Sequence, residues 1–259
     1  IIKSQKITYL KNNEFVFTDG KSKAISTGIV IDADNFEYNK IKNIINAFGN
    51  VKIDNYDENY LIYTDEATYQ KNKELFITKG KSKAINEGII IDADNFEYNK
   101  SNNVINANGN VTIDNKVENY IIYADDATYL KNEQLFLTKG QSKAINEDII
   151  INGDNFEYNR IDNTINAEGN VRINDTVNNY LILADKATYF KNSEKVITQG
   201  ETKADIQSKY FITSKDVTYL HEKKIISSQN KTKLQDENSQ VYFADKFNYS
   251  INQEIIKGE

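Results

Sequence analysis

One stretch of nine residues, IDADNFEYN, occurs at 31–39 and again, letter for letter, at 91–99. A changed copy, INGDNFEYN, follows at 151–159, so the spacing is 60 residues each time. A fixed period of this length is typical of chains in which each unit stacks against the next one. The sequence therefore predicts a single repeat domain over 1–259. Its units are 21–80, 81–140, 141–200 and a degenerate one at 201–259.

Each unit contains two halves that share a shorter pattern, small-Asp-x-x-x-Tyr. The tyrosine recurs about every 30 residues: Tyr9, Tyr38, Tyr69, Tyr98, Tyr129, Tyr158, Tyr189, Tyr219 and Tyr249. An aspartate stands four residues before most of them: Asp34, Asp65, Asp94, Asp125, Asp154, Asp185 and Asp245. Glycine follows most of the tyrosines about eleven residues later. Each half is long enough for a hairpin of two strands.

The local pattern within each half has the period of a strand. In IINAFGNVKID, which begins at Ile44, the apolar side chains Ile45, Ala47, Val51 and Ile53 share one face. Short polar turns rich in Asn and Gly separate these alternating segments. The pattern predicts an all-β fold of about 17 antiparallel strands in a simple meander.

The repeated stretch itself changes face in its middle. Ile29, Ile31 and Ala33 share one parity, whereas Phe36 and Tyr38 have the other. One strand buries both sets only if it bends or carries a bulge between them, near Asp34. We therefore expect creased strands, bent near Asp34 and its equivalents, which stack into an elongated trough with an apolar lining.

Composition excludes several classes of function. A net charge of -6 gives no general reason to expect nucleic-acid binding, and the absence of cysteine excludes disulfides and thiolate metal sites. No apolar run reaches the roughly 18 residues of a transmembrane segment, and the first residues lack the features of a signal peptide. We expect a soluble chain without cofactor or metal. Since both ends stop inside the repeat, we expect the natural protein to be longer.

The units at 33–53, 124–140 and 184–200 resemble the A-D-x-x-x-Y…N-x-x-A-x-G-N-V motif of the OstA/LptA family of lipopolysaccharide-transport proteins. The resemblance covers essentially the whole chain. It implies a β-jellyroll, or β-taco, that shelters lipid A acyl chains in the periplasm, in association with the outer membrane. The ending at 237–259 is more similar to the periplasmic N-terminal region of LptD than to LptA. A stand-alone LptA-like bridge protein is the alternative within this family.

Two sets of candidate residues follow. The inward positions are candidates for a lipid groove: Ile31, Ala33, Phe36, Ile45, Ala47, Val51, Ile53, Ile91, Ala93, Phe96, Ile105, Ala107, Val111, Ile113, Phe156, Ile165, Val171 and Ile173. A meander leaves its first and last strands unpaired, and open edges accept a strand from another chain. Candidates for docking other Lpt bridge proteins are therefore Ile7, Thr8, Tyr9, Val241, Phe243 and Phe247. Proline at Thr8 or Phe247 is expected to abolish that contact.

Other features of the sequence favour structural roles. The tyrosine row is interpreted as a ladder of packed rings, and outward lysines such as Lys23 and Lys83 as partners of Asp32 and Asp92. Small residues at inward positions, Thr78, Ser82 and Ala84 among them, are expected to leave space beside Ile and Val. His221, the only histidine, is expected to be a solvated turn residue.

An enzyme is a less favoured hypothesis. The pairs Asp32/Asp34 and Asp92/Asp94 are spaced like the acid and base of a glycosidase. However, a catalytic centre needs one constellation that separates two pKa values, whereas this aspartate recurs at the same place in most half-units. A structural stalk or adhesin without lipid cargo fits the repeats almost as well as the conduit. We expect no catalysis.

Overall fold

The structure is a computed structural model that describes residues 1–250, 252–253 and 255–259. It is all-β and antiparallel, as predicted, and its residues form two compact units, Ile1–Glu133 and Gln134–Glu259. Whether the chain is one repeat domain stays a prediction.

The first unit contains fourteen strands and one 3-10 turn at Lys71–Lys73. The strands are β1 (Ile2–Lys3), β2 (Lys6–Leu10), β3 (Phe15–Asp19), β4 (Ser22–Ser26), β5 (Ile29–Ala33), β6 (Asn35–Asn39), β7 (Ile44–Asn55), β8 (Tyr60–Gln70), β9 (Leu75–Lys79), β10 (Ser82–Asn86), β11 (Ile89–Ala93), β12 (Asn95–Asn99), β13 (Val104–Asn115) and β14 (Tyr120–Leu130).

The described residues of the second unit also form fourteen strands, with a 3-10 turn at Lys191–Ser193. Its strands are β15 (Leu135–Lys139), β16 (Ser142–Asn146), β17 (Ile149–Gly153), β18 (Asn155–Asn159), β19 (Thr164–Asp175), β20 (Tyr180–Phe190), β21 (Lys195–Ile206), β22 (Tyr210–Lys215), β23 (Thr218–Leu220), β24 (Ile225–Ser228), β25 (Thr232–Asp236), β26 (Val241–Ala244), β27 (Phe247–Ser250) and β28 (Ile255–Gly258).

A crease divides many of the strands into two short ones. β5 and β6 both pair with the long strand β7, whose register with β8 shifts between Phe48 and Val51. The same arrangement recurs where β11 and β12 pair with β13, and where β17 and β18 pair with β19. The predicted bends at Asp34, Asp94 and Asp154 are confirmed. The described residues form 28 strands rather than about 17 because the crease interrupts many of the strands that cross it.

Two consecutive residues with left-handed backbone build the crease opposite Asp34. Gly49 has φ +74 and Asn50 has φ +46, and a Cβ at Gly49 would clash with the Asp34 carboxylate. The Asp34 amide donates to the Gly49 carbonyl at 2.9 Å, and Asn50 Nδ2 donates to Asp34 Oδ2 at 2.8 Å. The Asp34 carboxylate therefore accepts a side-chain amide, and this hydrogen bond holds the bulge closed.

Buried hydroxyl groups fill the inside of the crease. The hydroxyls of Thr78 and Ser82 are 2.7 Å apart, and the Phe96 amide donates to Thr78 Oγ1 at 2.7 Å. Thr138 and Ser142 repeat this contact at 2.6 Å. These small residues therefore satisfy backbone and hydroxyl groups at the bend.

The crease folds each sheet into two halves that face one another. We call the half that contains β1, β4, β5, β10, β11, β16, β17, β22, β25 and β26 the first half-sheet of its unit. The half that contains β2, β3, β6, β9, β12, β15, β18, β23, β24, β27 and β28 is the second half-sheet. In the first unit, the Tyr60 ring at the start of β8 meets the Tyr98 ring of β12 edge-on, with centroids 5.3 Å apart. The apolar core of each unit lies between its two half-sheets.

Candidate functional site

The predicted groove residues lie together on the inner faces of the half-sheets. In the central strands of the first unit, Ile91 and Phe96 are 6% and 1% exposed, and Val111 and Ile113 are 1% and 0% exposed. All the other groove candidates are buried too, except Ile45 and Ile105, which are half-buried. The predicted alternation, in which these side chains point inward, is therefore confirmed. However, the interior is a packed core and not an open trough.

Inner-face residues also line a cavity at one end of each unit. In the first unit a cavity of about 140 Å³ is bordered by Ile2, Ile29, Ile31, Tyr38 and Ile45, among others. In the second unit a cavity of about 380 Å³ is bordered by Tyr210, Leu234, Phe247 and Ile256, among others. The apolar interior is therefore accessible where the outermost strands leave it uncovered.

Two larger cavities have a different chemistry. One of about 440 Å³ is lined mainly by polar side chains such as Asn155, Glu168 and Lys186. The other, of about 730 Å³, is bordered by Lys215 and Lys233 together with acidic groups. Neither lining suits an acyl chain, because burying apolar surface against charged groups removes their hydration without replacing it.

A polar cluster joins the two half-sheets of the first unit at the side opposite the crease. Its members, Glu58, Tyr60, Tyr98 and Lys131, are called the Glu58 cluster. Glu58 lies in the turn between β7 and β8, whereas Tyr98 lies near the end of β12 and Lys131 follows β14. Glu58 Oε2 accepts hydrogen bonds of 2.5 Å from both the Tyr98 hydroxyl and Lys131 Nζ. Lys131 Nζ also lies 5.2 and 5.4 Å from the ring centroids of Tyr60 and Tyr98.

The cluster is held in its charged form by these contacts. Burial alone would raise the pKa of Glu58, but the hydrogen bonds from Lys131 and Tyr98 outweigh it and lower that pKa below its ordinary value. Burial and the bond to Glu58 both raise the pKa of Tyr98, so its hydroxyl stays protonated and donates. The side chains of Lys131 and Glu58 are only 16% and 20% exposed, so water competes weakly for them.

The second unit has a corresponding cluster, formed by Asp175, Asn178, Tyr219 and His221 and called the Asp175 cluster. Asp175, at the end of β19, accepts hydrogen bonds on Oδ2 from the Tyr219 hydroxyl and from Asn178 Nδ2, the latter at 2.8 Å. His221 Nδ1 lies 2.7 Å from the same oxygen. Burial would raise the pKa of Asp175, but the bonds from Tyr219, Asn178 and His221 lower it.

Sequence reasoning missed both clusters. His221 is not a solvated turn residue, because its side chain is 19% exposed and contacts Asp175. A signal was available, since a shift of 120 residues, two repeat units, aligns Asn55 with Asp175 and Glu58 with Asn178. The acidic residue therefore occupies different positions in the two equivalent turns, Glu58 after β7 and Asp175 at the end of β19. Both turns nevertheless place a carboxylate at the end of the first half-sheet.

The tyrosine row packs as predicted. The rings of Tyr69 and Phe76 stack at 4.1 Å, and Phe136 and Tyr158 stack at 6.1 Å. Burial raises the pKa of Tyr189, whose hydroxyl donates to Asn146 of the opposite half-sheet at 2.9 Å. Several tyrosines therefore link the half-sheets through their hydroxyl groups in addition to packing along the strands.

The outward ion pairs are confirmed. Lys23 Nζ lies 3.0 Å from Asp32, and Lys83 Nζ lies 3.3 Å from Asp92. All four side chains are well exposed, so each pair stabilises the fold by about 1 kcal/mol or less. These lysines are occupied on the outer face and have no part in the interior.

The edge candidates lie at different places in the sheet. Within the described residues β2 pairs only with β3, and all of its side chains are exposed. β26 pairs only with β25, and Val241 and Phe243 on it are 43% and 79% exposed. Phe247 is not on an edge: β27 pairs with both β24 and β28, and Phe247 is 4% exposed. The prediction for Phe247 was wrong because the chain adds one more strand after it.

Among the residues that the structure describes, no group of three or more acidic or histidine side chains is arranged to hold a metal ion. None of the helical turns in the same residues has the length and apolar character needed to cross a membrane.

Comparison with known proteins gives a limited result. No protein-family model matches the sequence, and no curated protein matches it. Similar solved structures include a crystal structure of LptH, described as the LptA homologous periplasmic component of the conserved lipopolysaccharide transport device from Pseudomonas aeruginosa. The identity is 14% and the TM-score 0.41, over 44% of this chain and 84% of that chain. The likeness therefore extends over less than half of this chain.

Proposed function

We propose that this chain shelters the acyl chains of lipopolysaccharide between its half-sheets while the lipid crosses the periplasm towards the outer membrane. The observation that carries the proposal is that the inner faces of both units are apolar and end in cavities lined by the same faces. The OstA/LptA-like motifs support the choice of lipid. The role requires no catalytic chemistry and no cofactor.

Binding of this kind needs little polar recognition. Each methylene removed from water contributes about 0.8 kcal/mol, so several acyl chains together hold a lipid even after the cost of separating the half-sheets. Side chains such as Val111 and Ile113 are now buried in the closed interior, and they would contact acyl chains when lipid enters. We expect affinity to follow the length of the acyl chains and to depend weakly on the headgroup.

A stalk or adhesin without cargo is the second candidate. The packing of the central inner faces favours it, since residues such as Ile53 and Ile122 are 0% exposed. In a stalk this core would stay closed permanently, whereas in a conduit it must open to admit lipid. The two functions therefore differ in whether an inner-face residue ever contacts lipid.

Photocapture distinguishes them. A photoreactive residue at Ile105, which is half-buried on the inner face, should capture lipopolysaccharide. The same residue at Asn106, half-buried on the outer face of β13, is the matched control and should capture at least about tenfold less, because alternate side chains of a strand point to opposite faces. Equal capture at both positions would indicate adsorption to the surface, and no capture at either would favour the stalk.

We also propose that the open edges dock this chain to other Lpt bridge proteins by strand addition. The finer assignment, to the periplasmic N-terminal region of LptD rather than to LptA, rests on the segment 237–259 alone. Periplasmic location and association with the outer membrane belong to the same proposal. The exposed strands β2 and β26 support it, because each leaves one row of backbone groups without a neighbouring strand in its unit.

The register of the strands determines which prolines test this docking. The Lys40 amide donates to the Glu14 carbonyl at 3.0 Å, so Glu14 directs its backbone groups towards β6. Alternate residues of an antiparallel strand bond to the same neighbour. The backbone of Val16 therefore bonds to β6, and the backbone of Phe17 bonds to β2 on the other side. The backbone of Thr8, opposite Phe17, therefore faces β3, and the neighbouring Ile7 faces the open edge. Thr8→Pro would break the hairpin itself, so Thr8 is not a useful position for the test.

Ile7→Pro and Phe243→Pro should each weaken binding to an LptA-type bridge protein by at least about tenfold. On β26, the bond of 3.0 Å from the Asp236 amide to the Gln240 carbonyl places the Phe243 N–H on the open edge. Proline removes that donor without removing a ladder bond of the unit. Ile7→Ala and Phe243→Ala are the controls, because they truncate the same side chains and keep the N–H. Sedimentation velocity of the mixture measures the effect, and unchanged binding by both proline variants would exclude edge docking.

A further inference from the structure

We infer that the Glu58 cluster and the Asp175 cluster are clasps that close the interior along the side opposite the crease, and that their release admits an acyl chain from that side. The inference rests on the proposed function. It adds a route of entry and the residues that control it.

The clusters lie where the two half-sheets are held together by side chains alone. At the crease the half-sheets are joined covalently by every strand that crosses it. At the opposite side they are joined only by side chains of the strand ends and turns, such as Glu58 in one turn and Lys131 in another. The contacts of Glu58 with Tyr98 and Lys131 span 40 and 73 residues of sequence. Breaking these contacts would let the two half-sheets separate at this side without breaking any hydrogen bonds between paired strands.

The side chains of the clusters are charged or polar, and this favours contacts that can open. A permanently closed seam would be at least as stable with apolar side chains, because a buried ion pair loses most of its attraction to the desolvation of its charges. Charged and hydroxyl groups differ from apolar ones in the open state, where water hydrates them. Glu58, Tyr98 and Lys131 can therefore part at a lower cost than a sealed apolar rim.

The same type of hydrogen bond between the half-sheets occurs in both units. In both units a tyrosine hydroxyl from the second half-sheet donates to a carboxylate at the rim of the first. The carboxylate is the fourth residue of the stretch NYDE in the first unit and the first residue of DTVN in the second, at Glu58 and Asp175. Different positions thus supply the same bond across the seam.

The chain contains no cysteine, so a single introduced thiol reports opening. Ala107→Cys places the thiol on the inner face of β13, where the native side chain is 3% exposed. In the Tyr98→Phe background, which removes the hydroxyl and keeps the ring, labelling of this thiol by a maleimide should be about tenfold faster. In the Asp32→Asn background, which breaks an exposed ion pair on the outer face, the rate should stay unchanged.

A second thiol separates local opening from unfolding of the whole chain. Ala187→Cys lies on the inner face of the second unit and is natively 5% exposed. Tyr98→Phe should leave its labelling unchanged, whereas Tyr219→Phe should accelerate it. Equal acceleration at both thiols, or none at Ala107→Cys, would overturn the clasp.

The uptake of a fluorescent long-chain fatty acid tests the route of entry. Tyr98→Phe should take up the probe about tenfold faster than the wild-type chain. If labelling is faster but uptake is unchanged, the clusters close the seam but do not control entry, and the proposed function stands. If neither protein takes up the probe, the proposed function fails together with the route of entry.

Discussion

Ile173→Asp should lower the free energy of unfolding of the second unit by about 5 kcal/mol. Ile173 is 1% exposed and lies between Ile151 and Ile182 on the neighbouring strands. The substitution removes a buried apolar side chain and places a carboxylate between two isoleucines, so the two costs add. Urea unfolding followed by circular dichroism measures the change.

The adjacent position provides the control. Arg172 is exposed on the outer face of β19, opposite Asn152 and Leu183. Arg172→Asp introduces the same side chain one residue away and should change the free energy of unfolding by about 1 kcal/mol or less. Similar losses from both variants would mean that alternation along β19 does not separate an inner face from an outer one.

Asp175→Asn should lower the free energy of unfolding at pH 7 by about 2 kcal/mol. The amide oxygen can still accept the backbone N–H groups of the turn, as Asn115 does from Val117 and Glu118 at 3.0 and 2.9 Å. The variant loses the charged oxygen that accepts from Tyr219 and Asn178. Hydrogen bonds to charged groups contribute more than neutral ones, and this oxygen accepts several of them.

The loss should depend on pH in a defined direction. The pKa of Asp175 is lowered in the folded protein, so the carboxylate stabilises the fold above its unfolded pKa of about 3.9. That stabilisation disappears as the pH falls through the unfolded and then the folded pKa. The difference in stability between the wild-type chain and Asp175→Asn should therefore be smaller at pH 3 than at pH 7. A difference of the same size at both values would show that the carboxylate charge contributes nothing.

The crease was predictable from the sequence because its cause is local. Ile31 and Phe36 have opposite parity within a few residues, and only a bend at Asp34 buries both. Gly49 and Asn50 supply the left-handed residues of the bulge opposite that bend. Alternation with period 2 likewise placed the groove candidates on one face correctly.

Closure of the interior was not predictable in the same way. The contacts that close it join residues far apart in the chain, such as Glu58 and Lys131, and no local period marks them. Alternation shows which side chains point inward, but it does not show whether the two inner faces touch. His221 has no apolar neighbours of the right period, so its contact with Asp175 has no local signal either.

The prediction that Phe247 lies on an edge strand was wrong. Phe247 was a candidate because the strand around Val241–Tyr249 was expected to be the last one of the meander. A further strand at Ile255–Gly258 covers β27, so the open edge of the second unit includes β26 instead. Edge positions follow from which strands pair, and pairing is a property of the folded sheet rather than of the sequence period.

The dependence of affinity on acyl-chain length tests most directly whether the interior holds lipid. Single-chain lipids with one headgroup and chains that differ by two methylenes, used below their micelle-forming concentrations, would be titrated into the protein. Burial in the apolar interior predicts that each added pair of methylenes strengthens binding by up to about fifteenfold, since each methylene contributes about 0.8 kcal/mol. Affinity that is independent of chain length and falls with added salt would place the lipid on the charged outer surface and contradict the account.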